Sequence, residues 1–141
     1  MSESGEVGTS GREDSSMKGE LWARLLEIEG VVESSSIFAD RPALFVDGTE
    51  IAHEGADGAY DIRLTRRVIR ETRRRLRSEP SVRLRPSSSA DWVDLHVSSE
   101  ADGALLVELV QLAAGAHRPP AGRALRPPPE GADLARRRRL H

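Results

Sequence analysis

His53, Tyr60 and Arg41 are the residues of this sequence whose types and spacing suit proton transfer and anion binding near neutral pH. An imidazole beside a phenol at the end of a sheet can shuttle a proton. A guanidinium just ahead of the partner strand can grip an anionic substrate group. His53 is therefore the candidate catalytic base, with Arg41 and Tyr60 as candidate substrate-binding residues. The competing reading makes His53 a core-edge histidine that donates to a backbone carbonyl. A second constellation, Glu54, Asp61, Arg63, Trp92 and His96, falls on the opposite sheet face by strand alternation. Carboxyls opposed across strands repel unless Arg63, a metal or a proton relieves them, so that face is the alternative site. Its competing reading is an ordinary solvated sheet face.

These residues need a sheet to position them. Ala43-Leu44-Phe45-Val46, then Asp47-Gly48, then Thr49-Glu50-Ile51-Ala52-His53 predicts a two-residue hairpin, because Gly supplies the positive φ of a type I′ turn. Asp57-Gly58 repeats the signal before Ala59-Tyr60-Asp61-Ile62-Arg63-Leu64. If both turns hold two residues, Val46 faces Thr49 and Ala56 faces Ala59. Leu44, Val46, Ile51, His53, Tyr60, Ile62 and Leu64 then share the core face, and Phe45, Glu50, Glu54, Asp61 and Arg63 share the other. Val82–Arg85 and Trp92–Val97 read as two further strands. Trp92, Asp94 and His96 point outward because Val93, Leu95 and Val97 must point inward. Helices are predicted over about 18–29, 66–77 and from a Ser98 or Ser99 cap onward. The order α-β-β-β-α-β-β-α predicts a single small α+β domain with a mostly antiparallel sheet.

The chain of 141 residues is 31% charged and 38% hydrophobic, with a net charge of −2 and no Cys. Thiolate nucleophiles, disulfides and Cys-based metal sites are excluded. His53-Glu54 begins like a zinc-protease motif, but Asp57 stands where the second His belongs, so no metal site is expected. Phosphate loops, dinucleotide fingerprints and nucleophile elbows are absent, and no residue pattern specifies a cofactor. Residues 1–17 are acidic and Ser/Gly-rich, and 118–141 are Pro- and Arg-rich. Both are expected to be disordered tails flanking a domain over 18–117. Without a signal peptide or an apolar span, a cytoplasmic location and no membrane partner are expected. Arg66, Arg67, Arg70, Arg73, Arg74, Arg75 and Arg77 surround the second helix. Nucleic acid is the weaker reading of that stripe, because aromatics are not interleaved with it. A solvated helix, or a non-catalytic module docking an acidic partner through this helix and the Arg136–Arg139 tail, remains open.

Arg41-Pro42-Ala43, Asp47-Gly48-Thr49-Glu50-Ile51-Ala52-His53, Asp57-Gly58, Asp61-Ile62-Arg63-Leu64-Thr65 and Asp91-Trp92-Val93-Asp94-Leu95 together resemble the luciferase-domain family over about residues 20–116. The resemblance implies a compact α+β domain. In the fungal members it implies oxygen-dependent chemistry on a pyrone-type luciferin. Luminous members tend to carry further histidines where Gly55 and Asp61 stand here, so His53 is the residue the resemblance carries over. The leading functional expectation is a domain that binds a small organic molecule, with cofactor-independent oxygenase-type activity.

Overall fold

The computed structural model describes residues 17–55, 57–87 and 90–140. The disorder expected for 1–17 therefore lies outside the described residues, apart from Met17, which is helical. The architecture is α+β. Helix α1 covers residues 17–26, followed by β1 (Val32–Ser35), β2 (Pro42–Val46), β3 (Thr49–Glu54), β4 (Ala59–Arg63), α2 (Arg66–Ser78), β5 (Val82–Leu84), β6 (Trp92–His96), α3 (Glu100–His117) and α4 (Gly131–Arg139). The strands form one six-stranded sheet in the order β1-β2-β3-β4-β6-β5, antiparallel at every pairing.

Two elements exceed the sequence expectation of three helices and five strands. β1 arises from the stretch after Gly30, where Glu33 and the serines hide the strand period. α4 forms in the Arg-rich segment, with Asp133 in its first turn and four arginines in its last, the charge order that a helix dipole favours.

The inner face of the sheet carries the core. Leu44, Val46, Ile51, Ile62, Val93 and Leu95 meet Leu21 and Leu25 of α1 and Leu105, Leu106, Leu109 and Val110 of α3. Burying each such side chain stabilises by about 1.5–3 kcal/mol. Gly103 brings α1 and α3 together, since a Cβ there would already touch Leu21 at 3.7 Å. Ser99 caps α3 by accepting from the Asp102 amide at 3.2 Å.

Two one-residue departures from the expected register decide where the chemistry sits. The Asp47-Gly48 turn is as expected, with φ of 51° and 78° and Val46 opposite Thr49. Leu44 then pairs Ala52 while Phe45 pairs Glu50, so Ile51 is an extra residue in β3. Such a bulge turns the following side chains to the opposite face. The second connection is also longer than two residues. Gly55 N–H donates to Ala59 O at 2.7 Å, and Glu54 pairs Tyr60. The expected partner Ala56 lies outside the described residues. His53 consequently faces outward opposite Asp61, and the expected neighbour pair of His53 and Tyr60 does not form.

The segment from residue 118, expected from composition to be extended and unpacked, makes specific contacts. Arg123 Nη2 lies 2.6 Å from Asp47 Oδ2, the Arg126 amide donates to Asp47 Oδ1 at 2.8 Å, and Arg138 donates to Ser36 O at 2.9 Å. Asp47 follows the end of β2, and Ser36 N–H bonds Arg41 O just before its start. Residues 123–138 therefore run the length of β2 in the opposite direction. Phe45 points away from the helix-side core and is nevertheless fully buried, and Pro129 is buried as well.

Candidate functional site

The bulge gathers a polar cluster on the outer face. Glu50 and His53, three residues apart in a strand, could not share a face without the extra residue Ile51. With it, His53 Nδ1 lies 2.8 Å from Glu50 Oε2 and Nε2 lies 2.8 Å from Asp61 Oδ2. Glu50 is fully buried. Its carboxylate also accepts from Ser36 Oγ and from the Ile37 amide, both at 2.6 Å. Ser36 Oγ in turn accepts from the amides of Phe38 and Ala39. The loop between β1 and β2 is thus folded around one carboxylate, which answers the cost of burying it.

Beyond Asp61 the network continues to β6. Asp94 is Asp61's register partner on the next strand. Arg85 Nη2 lies 2.9 Å from Asp94 Oδ1 and 3.5 Å from Asp61 Oδ1. The environments push these groups apart. Burial alone would lower the His53 pKa, but hydrogen bonds to Asp61 and Glu50, and then their charges, outweigh it and raise it to about 9. Asp61 is held well below the usual carboxylate range, chiefly by its hydrogen bond to His53. Asp94 is raised by burial and then by the adjacent Asp61 carboxyl, against the opposing pull of Arg85. Of the two adjacent carboxyls, Asp94 is therefore the one that takes up a proton first as pH falls. Access runs the same way. The His53 side chain is 13% exposed, that of Asp61 23% and that of Asp94 32%.

Aromatic rings flank the imidazole. Trp92 stands 5.3 Å from the imidazole and Phe38 stands 5.9 Å from it, with Phe38 edge-on to Trp92 at 5.5 Å. Arg63 lies 5.9 Å over the Trp92 ring and 3.6 Å from Asp91. Indole, guanidinium and carboxyl groups thus lie side by side on this face.

Of the expected site residues, the structure therefore brings His53 together with Asp61, Arg63 and Trp92. Arg41 is near but engaged, its Nη1 donating to Glu54 O at 2.5 Å. Tyr60 is on the inner face in the core. Glu54 registers with Tyr60 and lies 3.7 Å from Lys18, away from Asp61. His96 is exposed at the sheet end opposite Ala59. Alternation puts Glu50 and Asp94 on the outer face without naming them as site residues, and it leaves Ser36 and Arg85 out. One signal was available for the first of these. Ile51-Ala52, two consecutive apolar residues in an alternating strand, marks the bulge that places Glu50 beneath His53.

Among the described residues no group of three or more His, Cys, Asp or Glu is arranged to hold a metal ion. Both ring nitrogens of His53 are already committed to carboxylates. No described helix is long and apolar enough to cross a membrane.

No curated protein and no solved structure matches the chain. A family model does, over residues 48–113, which span the Asp47-Gly48 turn's second residue through most of α3 and include His53, Asp61, Arg85 and Asp94. Arg41-Pro42-Ala43, α1 and β1 fall outside the matched span. The matching model is that of the Luciferase domain, and residues 48–113, which build β3, β4, β6 and the helix beneath them, are similar to it.

Proposed function

We propose that this luciferase-domain protein binds a small conjugated organic molecule on the outer sheet face and moves a proton on it through the Asp61–Asp94 pair. The observation that carries the reading is the line of His53, Asp61, Asp94 and Arg85 across three strands beside Trp92, an arrangement in which His53 lowers the pKa of Asp61 while that of Asp94 is raised. Asp94, the more basic and more exposed carboxyl, takes the proton and returns it, and Asp61, held low by His53, fixes its position from the neighbouring strand. His53 acts through Asp61 as a positioning group, because both its nitrogens are occupied. Trp92 supplies the stacking surface and Arg63 the cation beside it. Removing a proton from a conjugated carbon acid leaves an enolate, the electron-rich form that can react with O2 without a cofactor. This is the chemistry the family resemblance implies.

The test is a thermal-shift search with small aromatic acids and conjugated ketones, followed by deuterium incorporation into each hit from D2O, read by NMR. The wild type should exchange a carbon-bound proton, and Asp94→Asn should bind the hit while losing at least tenfold in exchange rate. Unchanged exchange in Asp94→Asn refutes the assignment.

A second reading rests on a different surface. Among the described residues, ion pairing on α2 is confined to Arg75 with Glu108, which leaves Arg66, Arg67, Arg70, Arg73, Arg74 and Arg77 unpaired. An acidic protein surface is the complementary partner. Its signature is a complex with polyglutamate that dissolves between 50 and 200 mM salt, on the order of the screening range.

A further inference from the structure

On the other side of the sheet from the carboxyl pair, a cavity of about 600 Å³ opens where α1, the start of α3 and the ends of β4 and β6 converge. Its size is in the range of small-molecule sites. Leu21 and Val97 give it apolar walls, and Gly103 contributes bare helix surface. Tyr60 is the group that distinguishes it from a packing gap. The residue is 3% exposed, yet among the described residues its hydroxyl has no hydrogen-bond partner, and it is not sealed from solvent. A ring buried in the core thus delivers an unpaired hydroxyl to the cavity. With its ring fixed in the core and only solvent to bond, that hydroxyl is a hydrogen-bonding position that a ligand oxygen can take over from water.

We propose that this cavity is a second binding site, separate from the outer-face site, for a neutral, mainly apolar molecule of about ten to twenty heavy atoms bearing one carbonyl oxygen. Burial, and then the charge of Glu54, raise the pKa of Tyr60, so its hydroxyl stays protonated and donates. The rim sets the ligand's charge. Glu20, Asp57 and Glu100 face Lys18 and Arg24 there, and Lys18 is already paired with Glu54. Three carboxyls against one uncommitted guanidinium disfavour an anionic ligand. A neutral carbonyl compound satisfies Tyr60 and presents its apolar body to Leu21 and Val97 without opposing the rim.

The test uses the full chain and three probes of one shape: 2-acetylnaphthalene, 2-ethylnaphthalene, which lacks the oxygen, and 2-naphthoate, which is charged. Binding is followed by amide chemical-shift changes in two-dimensional NMR, which also report that each variant is folded. The ketone should bind at one site, shift the amides around Tyr60, Val97 and Gly103, and bind about three- to tenfold more tightly than the hydrocarbon, the worth of one neutral hydrogen bond. Tyr60→Phe should keep the fold and abolish that preference, with the two probes binding alike. Gly103→Leu and Val97→Phe, filling the cavity from two sides, should each abolish binding of both. The proposal is overturned if the ketone does not saturate one site, if its preference survives in Tyr60→Phe, if both filling variants bind as the wild type does, or if naphthoate binds most tightly. None of these outcomes bears on the Asp61–Asp94 pair, which lies on the opposite face.

Discussion

On the inner face of the sheet, Ile62 and Leu95 meet α3 through apolar contact alone, whereas one residue back along the same strands Asp61 and Asp94 meet each other across the outer face and need His53 and Arg85 beside them. Apolar contact is non-directional, so the inner face tolerates a volume-conserving exchange of one side chain for another. The outer face is held by directional bonds to buried carboxylates, where losing one partner strands another. A core that could have been apolar on both faces has been given a polar cluster on one, and this asymmetry separates the face that stabilises from the face that does chemistry.

The largest effect that separates them is at Glu50. Glu50→Ala removes the acceptor of Ser36 Oγ, the Ile37 amide and His53 together, and leaves the charged imidazole short of a partner. It should cost about 3–5 kcal/mol. Ile62→Ala on the inner face should cost a comparable 2–5 kcal/mol, roughly, by cavity formation. The contrast comes from replacement rather than deletion. Ile62→Leu should cost less than about 1.5 kcal/mol, while Glu50→Leu, of similar bulk, should stay near the full Glu50→Ala penalty. Urea unfolding of the four variants measures this, and equal tolerance at both positions would remove the distinction between the faces.

The same contrast has a pH dependence. The folded pKa of His53 is raised from 6.5 to about 9, so its contribution is fully present below 6.5 and is lost as pH rises through 9. That shift is worth on the order of 3 kcal/mol. Asp61 runs the other way. Its folded pKa is depressed below 3.8, so its contribution is present above 3.8 and fades as pH falls through the lower folded value. His53→Gln supplies one donor for two carboxylates. The stability gap between it and the wild type should therefore be widest between about pH 4 and 6.5 and narrow steadily towards pH 9. Ile62→Ala should show a gap that is flat with pH. A flat gap for His53→Gln would mean that the imidazole is not charged in the folded state.

A smaller effect is expected at the turn that starts the bulged strand. Gly48 has φ of +78°, and a Cβ there would sit 3.2 Å from Pro127 O and 3.3 Å from Arg126 Cβ. Gly48→Val should cost about 1–3 kcal/mol in chemical denaturation. A change within error would mean that the turn relaxes without strain and that residues 126–127 do not press on it.

The inner face was legible in the sequence because alternation is a long-range pattern, visible in Leu44/Val46, Tyr60/Ile62/Leu64 and Val93/Leu95 alike. The Asp47-Gly48 turn was legible because few residue pairs accept two positive φ angles. The outer face was legible only in part. Asp61, Arg63 and Trp92 were placed by the same alternation, but His53 was put on the wrong face because a single bulged residue reverses the parity of everything beyond it until the next turn. The longer second connection is why Glu54, which an Ala56–Ala59 turn would set opposite Asp61, is instead opposite Tyr60. The roles of Ser36 and Arg85 left no trace, since both come from loop or strand-end positions whose geometry only the folded chain fixes.

The smallest expected effect tests whether the C-terminal segment belongs to the outer face. Arg138 reaches the Ser36 carbonyl through Nε at 3.1 Å and Nη2 at 2.9 Å, and the same serine's hydroxyl holds Glu50. If the segment rests there in solution, Arg138→Ala should cost about 1 kcal/mol, the net worth of one part-buried hydrogen-bonding group. The more telling quantity is its coupling to Glu50. In a double-mutant cycle with Glu50→Gln the two changes should be non-additive by about 0.5 kcal/mol or more, because both act on the loop around Ser36. Arg138→Ala paired with Ile62→Leu should be additive, the two side chains sharing no partner. An Arg138→Ala variant indistinguishable from the wild type, with no coupling to Glu50, would return residues 118–141 to the extended, solvated tail that their composition suggests, and would leave the loop around Ser36 to be held by Glu50 alone.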